Sequence, residues 1–215
     1  LGIEPGCPGI RTRSTNEFTT DARQERGLLP LGRSGGRGGL RPQRWQRRKT
    51  PTSFSAKSST SSTSSTTQVF GLMLKILDSH FGVQRAMMTT VHAYTADQPL
   101  ADAIGLDLRR SRSAVENIIP NTTNAPAILE KLMPEFKGKL DGIAFNVPVP
   151  NGSCVDMTTE LKKVPSPDEL NSIFKQESEN KFKNLIGYTS DPIVSSDVIG
   201  REETMVFDAK ATMLT

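Results

Sequence analysis

Thr89-Thr90-Val91-His92-Ala93-Tyr94-Thr95-Ala96-Asp97 is the stretch of this 215-residue chain that indicates its fold most directly. It completes a run, residues 83–94, whose loose alternation of apolar and polar side chains predicts a β-strand. The stretch contains one of the two histidines in the chain. A histidine at the end of a strand with hydroxyl groups on both sides has the surroundings of a general base. His92 is therefore a candidate catalytic residue.

Composition divides the chain near residue 67. Residues 1–57 show no helical or strand periodicity, and residues 58–67 form a run of serine and threonine. No acidic residue occurs between Arg26 and Leu77, so this region supplies most of the net charge of +4 and the pI of about 9.2. We expect a basic, disordered segment, and the alternative is nucleic-acid binding through residues 23–49, with Trp45 stacking on a base. A shifted reading frame over residues 1–67 is a third explanation of the missing pattern.

The cysteines and the hydropathy restrict the cellular setting. Cys7 and Cys154 lie far apart, which favours neither a disulfide framework nor a metal cluster and suits a reducing, cytoplasmic compartment. No apolar run approaches the ~18 residues of a membrane-spanning helix, so no membrane partner is expected. The chain begins with Leu1 rather than methionine, from which we expect a fragment or a processed product.

From residue 68 onward the pattern predicts a folded α+β domain with a largely antiparallel or mixed sheet and helices mainly on one face. Helices are expected at 68–81, 121–133 and 166–178, and strands at 83–94, 142–149, 152–162, 185–188 and 204–214. The first helix has Thr66 or Thr67 as candidate N-cap, and the second is expected to be capped within residues 121–123. Ser166 and Glu169 form a capping box at the start of the third helix. Residues 150–152 join two strands that we expect to be neighbours.

Several motifs occur in an order and spacing that resemble the catalytic, C-terminal domain of the phosphorylating glyceraldehyde-3-phosphate dehydrogenases, over about residues 68–215. They are Thr89–Asp97, Asp107–Arg112, Asn117–Pro120, Pro134–Leu140, Val147–Asn151 and Phe207–Lys210. The resemblance implies an oxidoreductase of glycolysis that uses NAD or NADP. In that family a cysteine thiolate attacks the aldehyde, hydride passes to the nicotinamide, and phosphate releases the thioester, while the histidine acts as the base.

The resemblance assigns site residues one by one. Family spacing places the nucleophilic cysteine at Ser65, within the serine and threonine run. The positions that hold the substrate phosphate and inorganic phosphate are Ser64, Thr66, Thr95, Arg110, Thr123, Asn124 and Asn146. Asn124 replaces a glycine and Asn146 replaces an arginine of the family. A serine hydroxyl is far less acidic than a thiol, and Asn146 removes a full charge from the site.

Two further parts of the family pattern are not found in the sequence. No Gly-x-Gly-x-x-Gly turn follows a predicted strand, and the chain stops at Thr215, before the family's last strand and C-terminal helix. We therefore expect a degenerate or fragmentary, inactive copy that binds phosphate or a phosphorylated aldehyde weakly. The alternative is a non-catalytic binding protein. It would use the basic segment for nucleic acid, or the sheet face and residues 97–112 to form a homo-oligomer or to assemble with intact family members.

Overall fold

The computed structural model describes residues 9–16 and 64–214, which belong to one compact unit. Eight strands in these ranges form one sheet in the order β3-β4-β2-β5-β1-β7-β6, with β8 paired to β1. The strands are β1 (Gly9–Asn16), β2 (Val83–Ala93), β3 (Ile119–Asn121), β4 (Leu140–Val147), β5 (Ser153–Leu161), β6 (Ile186–Thr189), β7 (Met205–Asp208) and β8 (Met213–Leu214). The pairs β2–β4 and β6–β7 are parallel and the others are antiparallel. The expected α+β architecture with a mixed sheet is confirmed.

Three α-helices in the described ranges cover the sheet: α1 (Ser65–Phe81), α2 (Ala125–Leu132) and α3 (Pro167–Glu179). Helix α1 contacts β2, β5 and α2, and it is buried nearly all round. A helix that is apolar on every side belongs in the core rather than at the surface. The His80 imidazole at the end of α1 lies 3.0 Å from the Glu177 carboxylate of α3, so these two helices lie on the same side of the sheet. None of the helices in the described residues is long and apolar enough to cross a membrane.

The start of α1 differs from the prediction. The helix begins three residues earlier than residue 68, and its N-cap is Ser64 rather than Thr66 or Thr67. The Gln68 amide donates to the Ser64 carbonyl at 3.2 Å, which closes the first helical turn. Thr66 and Thr67 are buried inside that turn. Because Thr66 and Thr67 lie within the first turn, neither can be the N-cap, and the helix starts further upstream than the apolar pattern predicts.

The predicted adjacency of the strands now numbered β4 and β5 is wrong. Strand β2 lies between them and hydrogen-bonds to both, parallel to β4 and antiparallel to β5. In this register His92 is opposite Asn146, and Val91 is opposite Cys154. The connection at residues 148–152 therefore crosses β2 instead of forming a hairpin. Gly152 has a φ of 81° there, a conformation that glycine adopts without strain.

The second helix also starts later than predicted. Its N-cap is Asn124, while Ile119–Asn121 form β3 against β4. The Asn121 side chain donates from Nδ2 to Asn146, and its Oδ1, the atom that would cap a helix, accepts from the Thr122 amide at 2.9 Å. The Ser166 N-cap of α3 is confirmed, because the Ser166 hydroxyl accepts from the Glu169 amide at 3.1 Å. The reciprocal bond of a capping box is not among the described hydrogen bonds, in which the Glu169 carboxylate accepts from Lys163 Nζ at 3.1 Å. The strand predicted at 204–214 is divided into β7 and β8 by a short 3₁₀ turn, Ala209–Ala211.

Strand β1 was not anticipated. Residues 1–57 were expected to be patternless, yet Gly9–Asn16 pair along their whole length with β5 and also with β7 and β8. The expectation is wrong for these eight residues, and the rest of residues 1–57 lies outside the described ranges. A strand with weak alternation of its own can still be held by the backbone groups of its two neighbours. The sequence pattern of a segment does not show whether neighbouring strands will hydrogen-bond to its backbone.

Candidate functional site

His92 occupies the penultimate position of β2 and is partly exposed. Its Nδ1 lies 2.6 Å from the Ala93 carbonyl oxygen. A carbonyl can only accept, so this contact assigns the proton of a neutral ring to Nδ1 and leaves the lone pair on Nε2. Within residues 64–214 no carboxylate is hydrogen-bonded to this imidazole. His92 can therefore accept a proton at Nε2, without the acidic partner that orients the histidine of a serine-based triad.

Ser65 is the first residue of α1, and Ser64 is its N-cap. The Ser64 hydroxyl lies 3.2 Å from the Thr66 hydroxyl and 3.1 Å from the Thr67 hydroxyl. These hydroxyls surround the end of a 17-residue helix, where unpaired amides and the helix dipole favour negative charge. The predicted residues Ser64, Ser65 and Thr66 are thus brought together. The start of α1 would stabilise a thiolate or a bound anion, but the side chain at residue 65 is a neutral hydroxyl.

Asn146 is enclosed by two other amide side chains. Its Nδ2 donates to Gln98 Oε1 at 3.0 Å, and its Oδ1 accepts from Asn121 Nδ2 at 3.0 Å. Asn146 and Gln98 are each only 7% exposed. The three residues, which we term the amide cluster, come from β4, β3 and the turn after β2. Because both ends of the Asn146 amide are occupied, Asn146 is a neutral structural link between β4, β3 and the turn after β2.

The turn after β2 connects the amide cluster to Arg110. The Thr95 amide donates to Gln98 Oε1 at 3.0 Å, and the Thr95 hydroxyl donates to the Asp97 carboxylate. Arg110 donates to the other oxygen of Asp97 at 3.1 Å. The hydrogen bond from Thr95, reinforced by Arg110, holds the pKa of Asp97 below its ordinary value. Asp97 therefore offsets the one cation that the resemblance assigns to phosphate binding.

Thr123 and Asn124 lie at the start of α2, where the Thr123 hydroxyl accepts from the Ala125 amide at 3.2 Å. The predicted residues thus fall into three groups, which are the start of α1, the amide cluster and the start of α2. The amide cluster lies next to His92 in the sheet, because His92 on β2 is opposite Asn146 on β4. The described hydrogen bonds do not join the start of α1 to the amide cluster.

Sequence reasoning missed the roles of Gln98, Asn121 and Asp97. Gln98 directly follows the histidine stretch, and Asn121 was interpreted only as a helix cap. Their roles depend on three separate chain segments meeting at β4, and no local spacing predicts such a meeting. The sequence therefore carried no signal for these contacts.

The geometry described so far defines an α+β domain with a strand-end histidine and a hydroxyl-lined helix start. The family model described as "glyceraldehyde 3-phosphate dehydrogenase, C-terminal domain" matches residues 64–215. The chain belongs to the glyceraldehyde-3-phosphate dehydrogenase family.

Curated relatives carry the same name. Glyceraldehyde-3-phosphate dehydrogenase 2 of Streptomyces avermitilis is 46% identical over 142 residues, which is 66% of this chain and 42% of the relative. The enzyme of Streptomyces coelicolor is 48% identical over 143 residues, covering 66% and 43%. The enzyme of Mycobacterium tuberculosis is 43% identical over 146 residues, covering 68% and 43%. The chain thus spans about two fifths of the length of these relatives.

The helix starts in residues 64–214 can be compared with those that hold a dinucleotide. Binding a pyrophosphate in the usual way requires a glycine-rich turn between a strand and a helix. The α-helices in residues 64–214 have Ser64, Asn124 and Ser166 as N-caps, and none of these three helix starts carries such a turn. The same residues contain no group of three potential metal ligands. Residues 23–49, to which nucleic-acid binding was assigned, lie outside the described ranges.

Proposed function

We propose that residues 64–215 form the catalytic-domain scaffold of a glyceraldehyde-3-phosphate dehydrogenase-type protein that does not carry out the thioester reaction. The observation that carries the proposal is Ser65 as the first residue of α1. A helix N-terminus lowers the pKa of a thiol from about 8.5 far enough to populate the thiolate. A hydroxyl starts from a much higher pKa, so the same field leaves it protonated. Serine catalysis then requires a base oriented by an acid, and none is bonded to His92 in the described residues.

The amide cluster supports the same proposal. A substrate phosphate is best held by forked, charged donors. Asn146 supplies no charge and has its donor and acceptor committed to Gln98 and Asn121. Arg110 keeps its charge but is paired with Asp97. What remains for an anion is the hydroxyl-lined start of α1, which would hold phosphate or a phosphorylated aldehyde weakly.

The test compares thiols introduced at the two ends of one helix. Ser65→Cys places a thiol at the start of α1, and Ser79→Cys places one near its end, where the dipole has the opposite sign. We expect iodoacetamide at pH 7 to alkylate the first about tenfold faster than the second, with peptide mapping to separate them from native Cys7 and Cys154. Equal rates would show that residue 65 is not a nucleophile position. In parallel, the unmodified chain is expected to give no phosphate-dependent, NAD-linked oxidation of glyceraldehyde 3-phosphate. Turnover that disappears in His92→Ala would overturn the proposal.

A second candidate function is assembly with copies of this chain or with intact family members. The observation that favours it is the exposed loop, residues 100–118, whose large apolar side chains are unusually accessible. These are Leu100, Ile104, Leu106, Leu108, Val115 and Ile118. Apolar side chains concentrated in one surface segment indicate a protein interface more often than a free surface. On this proposal the domain acts as a structural subunit.

A further inference from the structure

The connection between β4 and β5 contains Asn151-Gly152, the one place in the sequence where asparagine precedes glycine. The Gly152 amide nitrogen lies 2.8 Å from Asn151 Oδ1. Asn151 is partly exposed, and its Nδ2 group donates to no acceptor in residues 64–214. A main-chain nitrogen therefore lies beside a side-chain carbonyl whose amino group is held by no contact in this part of the chain. A nucleophile, an electrophile and a leaving group are thus placed together.

We propose that Asn151-Gly152 is a self-modification site, at which the chain converts its own asparagine to aspartate or isoaspartate. The Gly152 amide nitrogen loses its proton to a solvent base and forms a bond to Asn151 Cγ. The bond between Cγ and Nδ2 breaks, and Nδ2 leaves as ammonia. The resulting cyclic succinimide takes up one water molecule. Water addition at Cγ gives aspartate, and addition at the main-chain carbonyl carbon gives isoaspartate.

Two other positions in residues 64–214 have the same contact between a side-chain oxygen and the following amide. The Thr122 amide lies 2.9 Å from Asn121 Oδ1, and the Gly142 amide lies 2.7 Å from Asp141 Oδ1. At Asn121 the attacking nitrogen belongs to a β-branched residue, whose stiff side chain hinders ring closure. At Asp141 the electrophile is a carboxylate, which repels a nucleophile and has no ammonia to release. Asn151 combines the reactive amide with an unhindered glycine nitrogen.

The surroundings of Gly152 favour the aspartyl product in the folded chain. A Cβ atom on Gly152 would clash with the Ser195 carbonyl oxygen, so the backbone has no space to move toward Ser195. Isoaspartate inserts a methylene group into the main chain and would displace Gly152 from this position. Aspartate leaves the main chain unchanged and keeps an oxygen that accepts from the Gly152 amide. We therefore expect a smaller isoaspartyl fraction from the folded chain than from the unfolded chain.

The same connection holds the end of the strand that carries His92. Ser153 is buried, and its hydroxyl accepts from the Ala93 amide at 3.2 Å. The Ala93 carbonyl is in turn the contact of His92 Nδ1. The Tyr94 amide donates to the Val149 carbonyl at 3.1 Å. Conversion therefore adds a negative charge to the segment that supports the end of β2.

Incubation of the full chain at pH 8, followed by peptide mapping with mass spectrometry, tests the proposal. We expect deamidation at Asn151 to be at least about tenfold faster than at Asn121 in the same sample, because Thr122 hinders ring closure there. The aspartyl product should elute with the purified variant Asn151→Asp on ion-exchange chromatography. Asn151→Gln is the matched control, since its longer side chain must close a larger and less favourable ring. This variant should lose the conversion at residue 151 and the ammonia that accompanies it.

Comparable rates at Asn151 and Asn121 would overturn the proposal. A rate in the native chain at least about tenfold below that of the same chain unfolded in urea would also overturn it, since the fold would then protect the site. Equal isoaspartyl fractions from native and unfolded chain would refute the constraint from Ser195. These measurements need no turnover by the chain, so their outcome is independent of the proposed function.

Discussion

Gln98→Ala tests the amide cluster, because Gln98 Oε1 accepts from both the Asn146 side chain and the Thr95 amide. Thr95 is exposed, so its amide can rebind water and its loss costs about 0.5–1 kcal/mol. Asn146 is buried, and leaving its N–H group without a partner costs about 1–3 kcal/mol. We expect the free energy of unfolding to fall by about 3 kcal/mol in total.

The assay is urea unfolding followed by far-UV circular dichroism, with the stability change taken from the midpoint at constant slope. Gln176→Ala on the exposed face of α3 is the control and should change stability by less than about 0.5 kcal/mol. The double variant Gln98→Ala/Asn146→Ala should lose clearly less than the sum of the single variants, since both remove one shared hydrogen bond. A change within about 0.5 kcal/mol for Gln98→Ala would refute the claim that the amide cluster is a structural link.

Two further predictions concern acid stability and assembly. The pKa of Asp97 is lowered by its hydrogen bond from Thr95 and by Arg110, so its contribution is complete above the unfolded pKa of about 4 and is lost as pH falls through the lower native value. The melting temperature of the native chain should therefore exceed that of Asp97→Asn at pH 6 and converge with it near pH 2, and a constant difference across this range would contradict the assignment. For the exposed loop, Leu106→Glu/Leu108→Glu should shift light-scattering mass toward the 23.5 kDa monomer without changing the melting temperature. Val194→Glu, an exposed apolar position outside the loop, should leave the mass unchanged, and equal dissociation in both variants would argue against a specific interface.

Most elements of residues 68–215 could be predicted from sequence because they depend on local patterns. The Ser166 capping box and the alternation of β5 predicted their elements to within a residue or two. The errors came where a residue had a distant partner. Asn121 was interpreted as a helix cap, but it pairs with Asn146, 25 positions away. Strands β4 and β5 are adjacent in sequence, but β2 separates them in the sheet.

For the site, the sequence by itself determined which chemical groups are present. The stretch around His92 identified the family, and residues 65 and 146 are by identity a hydroxyl and a neutral amide. Residue identity is enough for these conclusions, because the acidity of a hydroxyl and the charge of an amide follow from covalent chemistry.

Only the tertiary structure decided what those groups do to one another. It placed Ser65 at the start of α1, engaged both ends of the Asn146 amide and paired Arg110 with Asp97. It also inserted Gly9–Asn16 between β5 and β7. The physical reason is the same in each case. Hydrogen bonds and strand ladders act over a few ångströms between residues that are tens of positions apart in the sequence. A local sequence pattern does not show which distant residue the fold will bring within that distance.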